Sequence, residues 1–160
     1  MMIHPAAAHF AVVLPLVATV FGLIYLFTKT EGMSKISSRI TVFAALGVVA
    51  AWYTGGQVAG DVYPLLVDAG QHELKEHKAL GLYLAIAMGI IAVLKFVGCR
   101  FKIYILEVVA VVMLVATSGV MMKQAQEGGE VVYKYGGGVE GYSDGMDCIE
   151  EMAEMEDEEE

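Results

Sequence analysis

The chain has 160 residues, 57% of them hydrophobic, a net charge of -9 and a mean hydropathy of +0.60. The apolar share is above that of an ordinary soluble domain and indicates a bilayer protein. The acidic balance, without a basic stripe, excludes nucleic acid as a partner. We expect one four-helix transmembrane domain over residues 1–123 and a polar, Gly-rich and acidic extramembrane tail over 124–160.

Four apolar runs predict an all-α membrane bundle, because about 20 residues cross a hydrocarbon core of about 30 Å. The predicted spans cover 5–28, 40–58, 80–97 and 103–122. Pro15 falls inside the first span and predicts a local kink. No charged region precedes this run, so we expect it to stay as a membrane anchor rather than to be removed as a signal peptide.

Basic residues cluster in two connections, one between the first and second spans and one between the third and fourth. They are Lys29, Lys35 and Arg39 after the first span and Lys95, Arg100 and Lys102 after the third. Short cytoplasmic loops collect Lys and Arg, so both connections should be cytoplasmic and both termini should lie on the other side. In a bacterium this is the inner membrane with periplasmic termini, and the histidines then lie at the outer face.

Small residues recur every four positions in two spans, a spacing that lets helices approach closely in lipid. They are Gly47, Ala51 and Gly55 in the second span and Gly81, Ala85 and Gly89 in the third. Glu107, inside the fourth span, needs a partner or a function at that depth. Lys102, Arg100 or Arg39 is the expected ion-pair partner, and a proton-handling role is the alternative.

Beyond the fourth span the chain becomes polar. The glycines from Gly128 onward argue against a helix, and the segment from Val131 to Tyr135 predicts a short extended piece. The acidic residues 146–160 predict a solvated tail. Its Cys148 and the cytoplasmic Cys99 lie on opposite sides of the membrane, so we expect no disulfide.

The only four histidines form two H-x-x-x-x-H pairs, His4 with His9 and His72 with His77. A span, a basic loop and a second span follow each pair. This order predicts two parallel two-helix repeats about an axis along the membrane normal. A five-residue spacing turns a helix by about 140°, so the two histidines of a pair cannot point the same way. From the symmetry of the repeats we expect His9 and His77 to face each other across the bundle, with His4 and His72 nearer the surface.

Four features occur in an order seen in a known family. They are His4-Pro-Ala-Ala-Ala-His9-Phe10, a Thr54-Gly late in the second helix, His77 before the third, and the Gly-Gly-Glu-Val-Val-Tyr-Lys-Tyr-Gly-Gly-Gly-Val segment ending at Val139. Together they resemble a bacterial family of four-helix predicted membrane proteins of uncharacterised function. Some of its members are joined to Rieske or cytochrome c modules, which implies an electron-transfer setting. That family usually has His where this chain has Tyr135.

The first functional hypothesis is a membrane b-type cytochrome. His9 and His77 would be the axial ligands of a noncovalent haem, and His4 and His72 would bind a second haem or its propionates. Bis-imidazole ligation needs only two facing histidines in a helix bundle. No C-x-x-C-H occurs for covalent attachment. A basic soluble partner, such as a small cytochrome or a Rieske-type protein, would be attracted to the acidic outer face.

Two alternatives remain open at this point. One is a transition-metal binding or transport module that uses His72, Glu73, Glu76 and His77, whose carboxylates and imidazoles pair at i,i+4 spacing, with the imidazoles of His4 and His9 from the first helix. The sulfur ligands that would suit soft Cu(I) are Met121, Met122, Met146, Cys148, Met152 and Met155. The other is a structural or accessory subunit in a membrane complex or homo-oligomer, without a cofactor. We find no enzyme motif. His72-Glu73 resembles the start of the H-E-x-x-H motif of zinc metalloproteases, but Glu76 stands where the second histidine would be.

Overall fold

The computed structural model describes residues 3–139, which form one bundle of four long helices. These are α1 (Ile3–Thr28), α2 (Glu31–Val62), α3 (Asp68–Phe101) and α4 (Tyr104–Tyr133), with a 3-10 turn at Tyr63–Leu65. Each is long and apolar enough to cross a membrane. The expected all-α bundle with four candidate transmembrane helices is therefore confirmed.

Each helix packs against the next one in the chain, and α1 also packs against α4, which closes the ring. Short connections make consecutive helices antiparallel neighbours. We call the end with the 29–30 and 102–103 connections the turn end. The opposite end, where α1 and α3 begin and α2 and α4 finish, is called the histidine end.

The two connections at the turn end have the same form. Lys29 and Lys102 both adopt left-handed backbone conformations, with φ of 51° and 57°. The N–H of Lys29 donates to the carbonyl of Tyr25 at 2.8 Å, and the N–H of Ile103 donates to that of Gly98 at 2.9 Å. These bonds satisfy carbonyl groups that the last helical turns would otherwise leave free.

The interior of the bundle contains many small residues, whereas its exterior carries many bulky apolar side chains. Fully buried residues include Ala18, Ala44, Met88 and Ile91, whereas large exposed side chains include Phe27, Phe43, Val93 and Val112. An apolar exterior around a packed interior suits lipid, in which close helix packing replaces hydrophobic burial.

The small-residue stripe of α2 is a packing face within the bundle. A Cβ on Gly47 would lie 3.1 Å from Cδ1 of Leu14, and Ala51 is buried. In α3, Ala85 is buried in the same way. Gly89 differs, because among the described residues an added Cβ would meet nothing within 4 Å. It lies in an open apolar groove with Ile86, Ile90, Val93 and Leu94.

The helices extend well beyond the predicted spans. Most of the connection expected between the first span, which ends at 28, and the second, which begins at 40, is helical. There α2 begins at Glu31, and Thr30 caps it by accepting a hydrogen bond from the N–H of Met33. The extended piece expected around Val131 is also wrong. There α4 continues past Gly128 with Val131 buried, so packing overrides the low helix propensity of glycine. The expected boundary at 123/124 thus falls inside a helix, and the acidic tail lies outside the described residues.

Candidate functional site

His4 lies in the first turn of α1 and is half-buried against the end of α2. Its Nδ1 is 3.2 Å from Oγ1 of Thr54. A Cβ on Gly55 would lie only 2.7 Å from Cε1 of the imidazole. The ring therefore fits at this position because residue 55 has no side chain, and the neighbouring hydroxyl fixes its direction.

His77 occupies a similar seat in the other half of the bundle. It is half-buried against α4, where a Cβ on Gly128 would lie 2.8 Å from Cε1 of its ring. Nε2 of Gln124 lies 3.3 Å from Nε2 of His77 and donates to the backbone carbonyl of His77 at 2.8 Å. The histidine end thus gathers two imidazoles, one from each half.

The hydrogen bonds assign the tautomer of both neutral rings. Oγ1 of Thr54 donates its single proton to the carbonyl of Ala50 at 2.9 Å, so it accepts from Nδ1–H of His4. The amide nitrogen of Gln124 only donates, so Nε2 of His77 accepts and its Nδ1 carries the proton. Nε2 is therefore the acceptor atom of both rings, and in His77 this atom is engaged by the amide of Gln124. A neutral imidazole ligates a metal through its unprotonated nitrogen.

The structure does not bring together the expected pair of His9 and His77. His9 is exposed, and its Nδ1 lies 2.6 Å from the carbonyl of Pro5 one turn earlier. The physical reason is the rotation of about 140° over five helical residues, which turns His9 outward once His4 faces the bundle. His72 is also exposed, at 73%, and its Nδ1 is 3.9 Å from Oε1 of Glu76.

A carboxylate of another helix is adjacent in the chain to the residue on which His77 packs. The i,i+4 spacing favours Glu73 as the partner of His77, but Glu127 of α4 directly precedes Gly128, against which the ring lies. Oε1 of Glu127 pairs with Nζ of Lys123 at 3.0 Å. At the histidine end, three buried atoms have no partner among the described residues, namely Nδ1 of His77, Oε2 of Glu127 and Oε1 of Gln124. One donor and two acceptors are thus left unsatisfied at this end.

No group of three or more His, Cys, Asp or Glu side chains within residues 3–139 is placed to hold a metal ion. The site expected from His72, Glu73, Glu76 and His77 is therefore not assembled there, because His72 and Glu76 face outward while His77 turns to α4. The soft ligands expected beyond residue 139 lie outside the described residues, and they are Met146, Cys148, Met152 and Met155.

A second polar cluster is buried at the turn end. Glu107 is 2% exposed and Lys95 is 1% exposed, and their Oε2 and Nζ atoms are 2.7 Å apart. The hydroxyl of Tyr25 donates to Oε1 of Glu107 at 2.7 Å, and that of Ser34 donates to Oε2 at 2.9 Å. One residue from each of the four helices therefore meets in this cluster.

The partner of Glu107 differs from the expected ones. Lys95 was assigned to a basic loop, but α3 runs on to Phe101 and carries it inside the bundle. Of the expected partners, Lys102 instead lies 3.5 Å from Glu31 at the surface. Gly98 allows the close approach of α3 and α4, because a Cβ there would lie 2.7 Å from Cγ of Glu107. Glu107 therefore forms an ion pair as expected, but its partner is Lys95.

The glycine run after α4 folds back over the histidine end. The N–H of Gly137 donates to the carbonyl of Val131 at 2.8 Å, and Gly136 has a φ of 68°. A Cβ on Gly70 would lie 2.9 Å from Cβ of Tyr135. Tyr135, which stands where the resembled family usually has His, therefore packs on the first turn of α3.

Sequence reasoning missed Lys95, Gln124 and Glu127. A lysine inside an apolar run was a usable signal for a buried partner of Glu107. The other two lie beyond the end of the predicted fourth span, where polar residues are ordinary. Only the continuation of α4 brings them beside His77.

Comparison with protein-family models, with curated proteins and with solved structures returned no match to this chain. The geometry and chemistry of the histidine end therefore supply the basis for a functional assignment.

Proposed function

We propose that the histidine end binds one noncovalent haem through His4 and His77, and that the protein takes part in electron transfer as a membrane b-type cytochrome. The observation that carries the proposal is the matched placement of the two rings, which come from opposite halves of the bundle and each pack against a glycine of a neighbouring helix. Their hydrogen bonds favour a proton on Nδ1, so that Nε2 would be the ligating atom, and Gln124 would turn away from Nε2 of His77 when iron binds. Two such donors are what a bis-histidine haem requires.

The donor set fits haem better than it fits a bare metal ion. A structural or catalytic metal usually needs three or four protein ligands, and the described residues offer no such group. Haem iron has four ligands from its own macrocycle and needs only two from the protein. When bound, haem would supply one-electron chemistry. The transport alternative is less well supported for this reason.

The neighbours of the two rings have supporting roles in this proposal. The hydroxyl of Thr54 holds Nδ1 of His4, as hydrogen-bonded groups around metal ligands generally do. Gly55 and Gly128 let each ring lie directly on a helix backbone. The exposed His9 and His72 are not assigned as axial ligands.

A parallel repeat supports the equivalence of the two ligands. Positions 4 and 77, 55 and 128, and 29 and 102 all differ by 73 residues. They form the two histidine seats on glycine and the two left-handed lysine turns. The same difference relates the buried residues of α1 to buried residues of α3, as for Ala11 and Leu84. The repeat register thus pairs His77 with His4, rather than with His9.

The proposed setting is a bacterial inner membrane with the histidine end on the periplasmic side. The turn end carries Lys29, Lys35, Arg39, Arg100 and Lys102, as expected of a cytoplasmic face. The histidine end carries six acidic residues and four lysines among the described residues, which leaves it with a net charge of -2: Asp61, Asp68, Glu73, Glu76, Glu127 and Glu130 against Lys75, Lys78, Lys123 and Lys134. A basic soluble redox protein suits this weakly acidic face. The resemblance to a family with Rieske and cytochrome c fusions points to the same kind of partner.

The test is a visible spectrum of the detergent-purified protein from haem-replete cells, oxidised and after dithionite reduction. We expect a Soret band that shifts on reduction in the wild type and is lost in His4→Ala and in His77→Ala. His9→Ala and His72→Ala are the matched controls, because both rings are exposed, and they should keep the band.

Two results would contradict the proposal. A colourless wild-type preparation would favour the accessory-subunit alternative, for which the four-helix cluster at Glu107 supplies a structural role. Loss of the band in His9→Ala with retention in His4→Ala would restore the pairing expected from the sequence. Metal analysis of the same sample tests the transport alternative.

A further inference from the structure

We infer that Glu127 is a positioning residue for His77, whose Nδ1 proton its carboxylate accepts. The inference deepens the proposed function, on which its consequence for haem binding rests. The hydrogen bond itself belongs to the haem-free protein and can be measured without a cofactor.

The unpartnered atoms at the histidine end are chemically complementary. Nδ1 of His77 is a buried donor, and Oε2 of Glu127 is a buried acceptor. Glu127 directly precedes Gly128, whose backbone the imidazole contacts, and its side chain is only 14% exposed. Leaving both atoms unpaired costs the desolvation of each. A side-chain rotation that joins them would remove this cost.

The repeat register gives an independent reason for the same pairing. Thr54 and Glu127 differ by the 73 residues that separate His4 from His77. In the first half, Nδ1 of His4 already donates to the residue at this register position, Thr54. Glu127 is therefore the counterpart of Thr54, with a carboxylate in place of a hydroxyl.

The other unpaired acceptor, Oε1 of Gln124, is the weaker competitor. A hydrogen bond to an ionised carboxylate is about twice as strong as one between neutral groups. The amide nitrogen of Gln124 is also committed to the backbone carbonyl of His77, which fixes the amide. Glu127 keeps Oε2 free, because Lys123 pairs with Oε1.

The consequence is an unequal pair of ligands. The carboxylate makes the His77 imidazole more electron-rich than the His4 imidazole, which has only a hydroxyl behind it. Such partners raise ligand basicity and fix ring orientation. In the proposed site, Glu127 would therefore strengthen the His77 bond to iron and lower the midpoint potential.

The test is nitrogen NMR of the haem-free protein in detergent, labelled at histidine, with His77 assigned by its loss in His77→Gln. In the wild type we expect a protonated Nδ1 whose proton is shifted downfield by the carboxylate. Glu127→Leu should abolish this shift, and Glu127→Gln, which keeps the shape and a neutral acceptor, should give an intermediate one. Glu130→Gln is the control, since it removes the same charge one turn further along α4.

A wild-type His77 without the shifted proton, or a shift unchanged in Glu127→Leu and Glu127→Gln, would overturn the inference whether or not haem binds. A second measurement titrates haem into each variant. We expect Glu127→Leu to weaken binding by about 10–100-fold and Glu130→Gln to leave it unchanged. A shifted proton in a wild type that takes up no haem would support the inference and contradict the proposed function alone.

Discussion

Glu107 and Lys95 show how a single buried pair organises the turn end. Glu107 is almost fully enclosed and accepts hydrogen bonds from Tyr25, Ser34 and Lys95. Nζ of Lys95 also lies 4.1 Å from the ring centroid of Tyr25, which places the cation over an aromatic face. Because every helix contributes one member, the cluster fixes the relative height of all four helices.

Removing one member of this pair should destabilise the bundle strongly. We expect Glu107→Leu and Lys95→Met each to cost about 3–5 kcal/mol, since each leaves an uncompensated buried charge. The double variant should be more stable than either single one, because an apolar pair of similar volume can replace a buried ion pair. Unfolding of the purified proteins in detergent measures these differences.

The exposed pair of Glu31 and Lys35 is the control for that experiment, because its side chains are 60% and 55% exposed. Lys35→Met should change stability little, as surface pairs contribute little. If the double variant is less stable than both single variants, the cluster has a role that apolar packing cannot replace.

At the scale of the helices, glycine determines where side chains enter the bundle. Gly55 and Gly128 are seats for imidazoles, and Gly98 is a seat for Glu107. Gly56 follows Gly55 in the chain, but a Cβ added to it would meet nothing within 4 Å among the described residues. Gly55 and Gly56 therefore have different packing environments, although a sequence pattern of small residues does not distinguish them.

We expect Gly55→Ala and Gly128→Ala to displace the imidazoles and to reduce haem binding. The added Cβ would lie 2.7 Å from His4 or 2.8 Å from His77, closer than carbon atoms pack. Haem titration of each variant measures the effect. Gly56→Ala is the matched control. It should bind as the wild type does and gain about 0.5–1 kcal/mol from helix propensity. Equal haem binding by the three variants would contradict the role of Gly55 and Gly128 in placing the imidazoles.

At the scale of the whole molecule, the length of the helices keeps the histidine end and the turn end far apart. α2 has 32 residues and α3 has 34, and at 1.5 Å per residue both are longer than a hydrocarbon core of about 30 Å. The histidine end and the turn end can therefore both reach the membrane–water boundaries. The basic residues of the turn end are the reason for the proposed orientation, with this end in the cytoplasm.

The orientation can be tested by cysteine labelling in intact cells. Gly60 and Gly32 are exposed at opposite ends, and an added Cβ meets nothing within 4 Å at either position among the described residues. In a background with Cys99 and Cys148 replaced by serine, Gly60→Cys should react with an impermeant thiol reagent. Gly32→Cys should react only after permeabilisation. The reverse pattern would place the histidine end in the cytoplasm and exclude a periplasmic partner.

Four helices and a partner for Glu107 were predictable from the amino-acid sequence, since apolar runs must satisfy their backbone groups in helices and a buried charge requires a partner. The placement of the histidines at one end was also predictable, because consecutive spans alternate direction. That His4 faces inward and His9 outward, and that the partner of Glu107 is Lys95, became visible only in the packed bundle. These choices depend on which side of each helix its neighbours cover. The four packed helices set the rotation of each one, and contacts such as His77 with Gly128 are far apart in the chain.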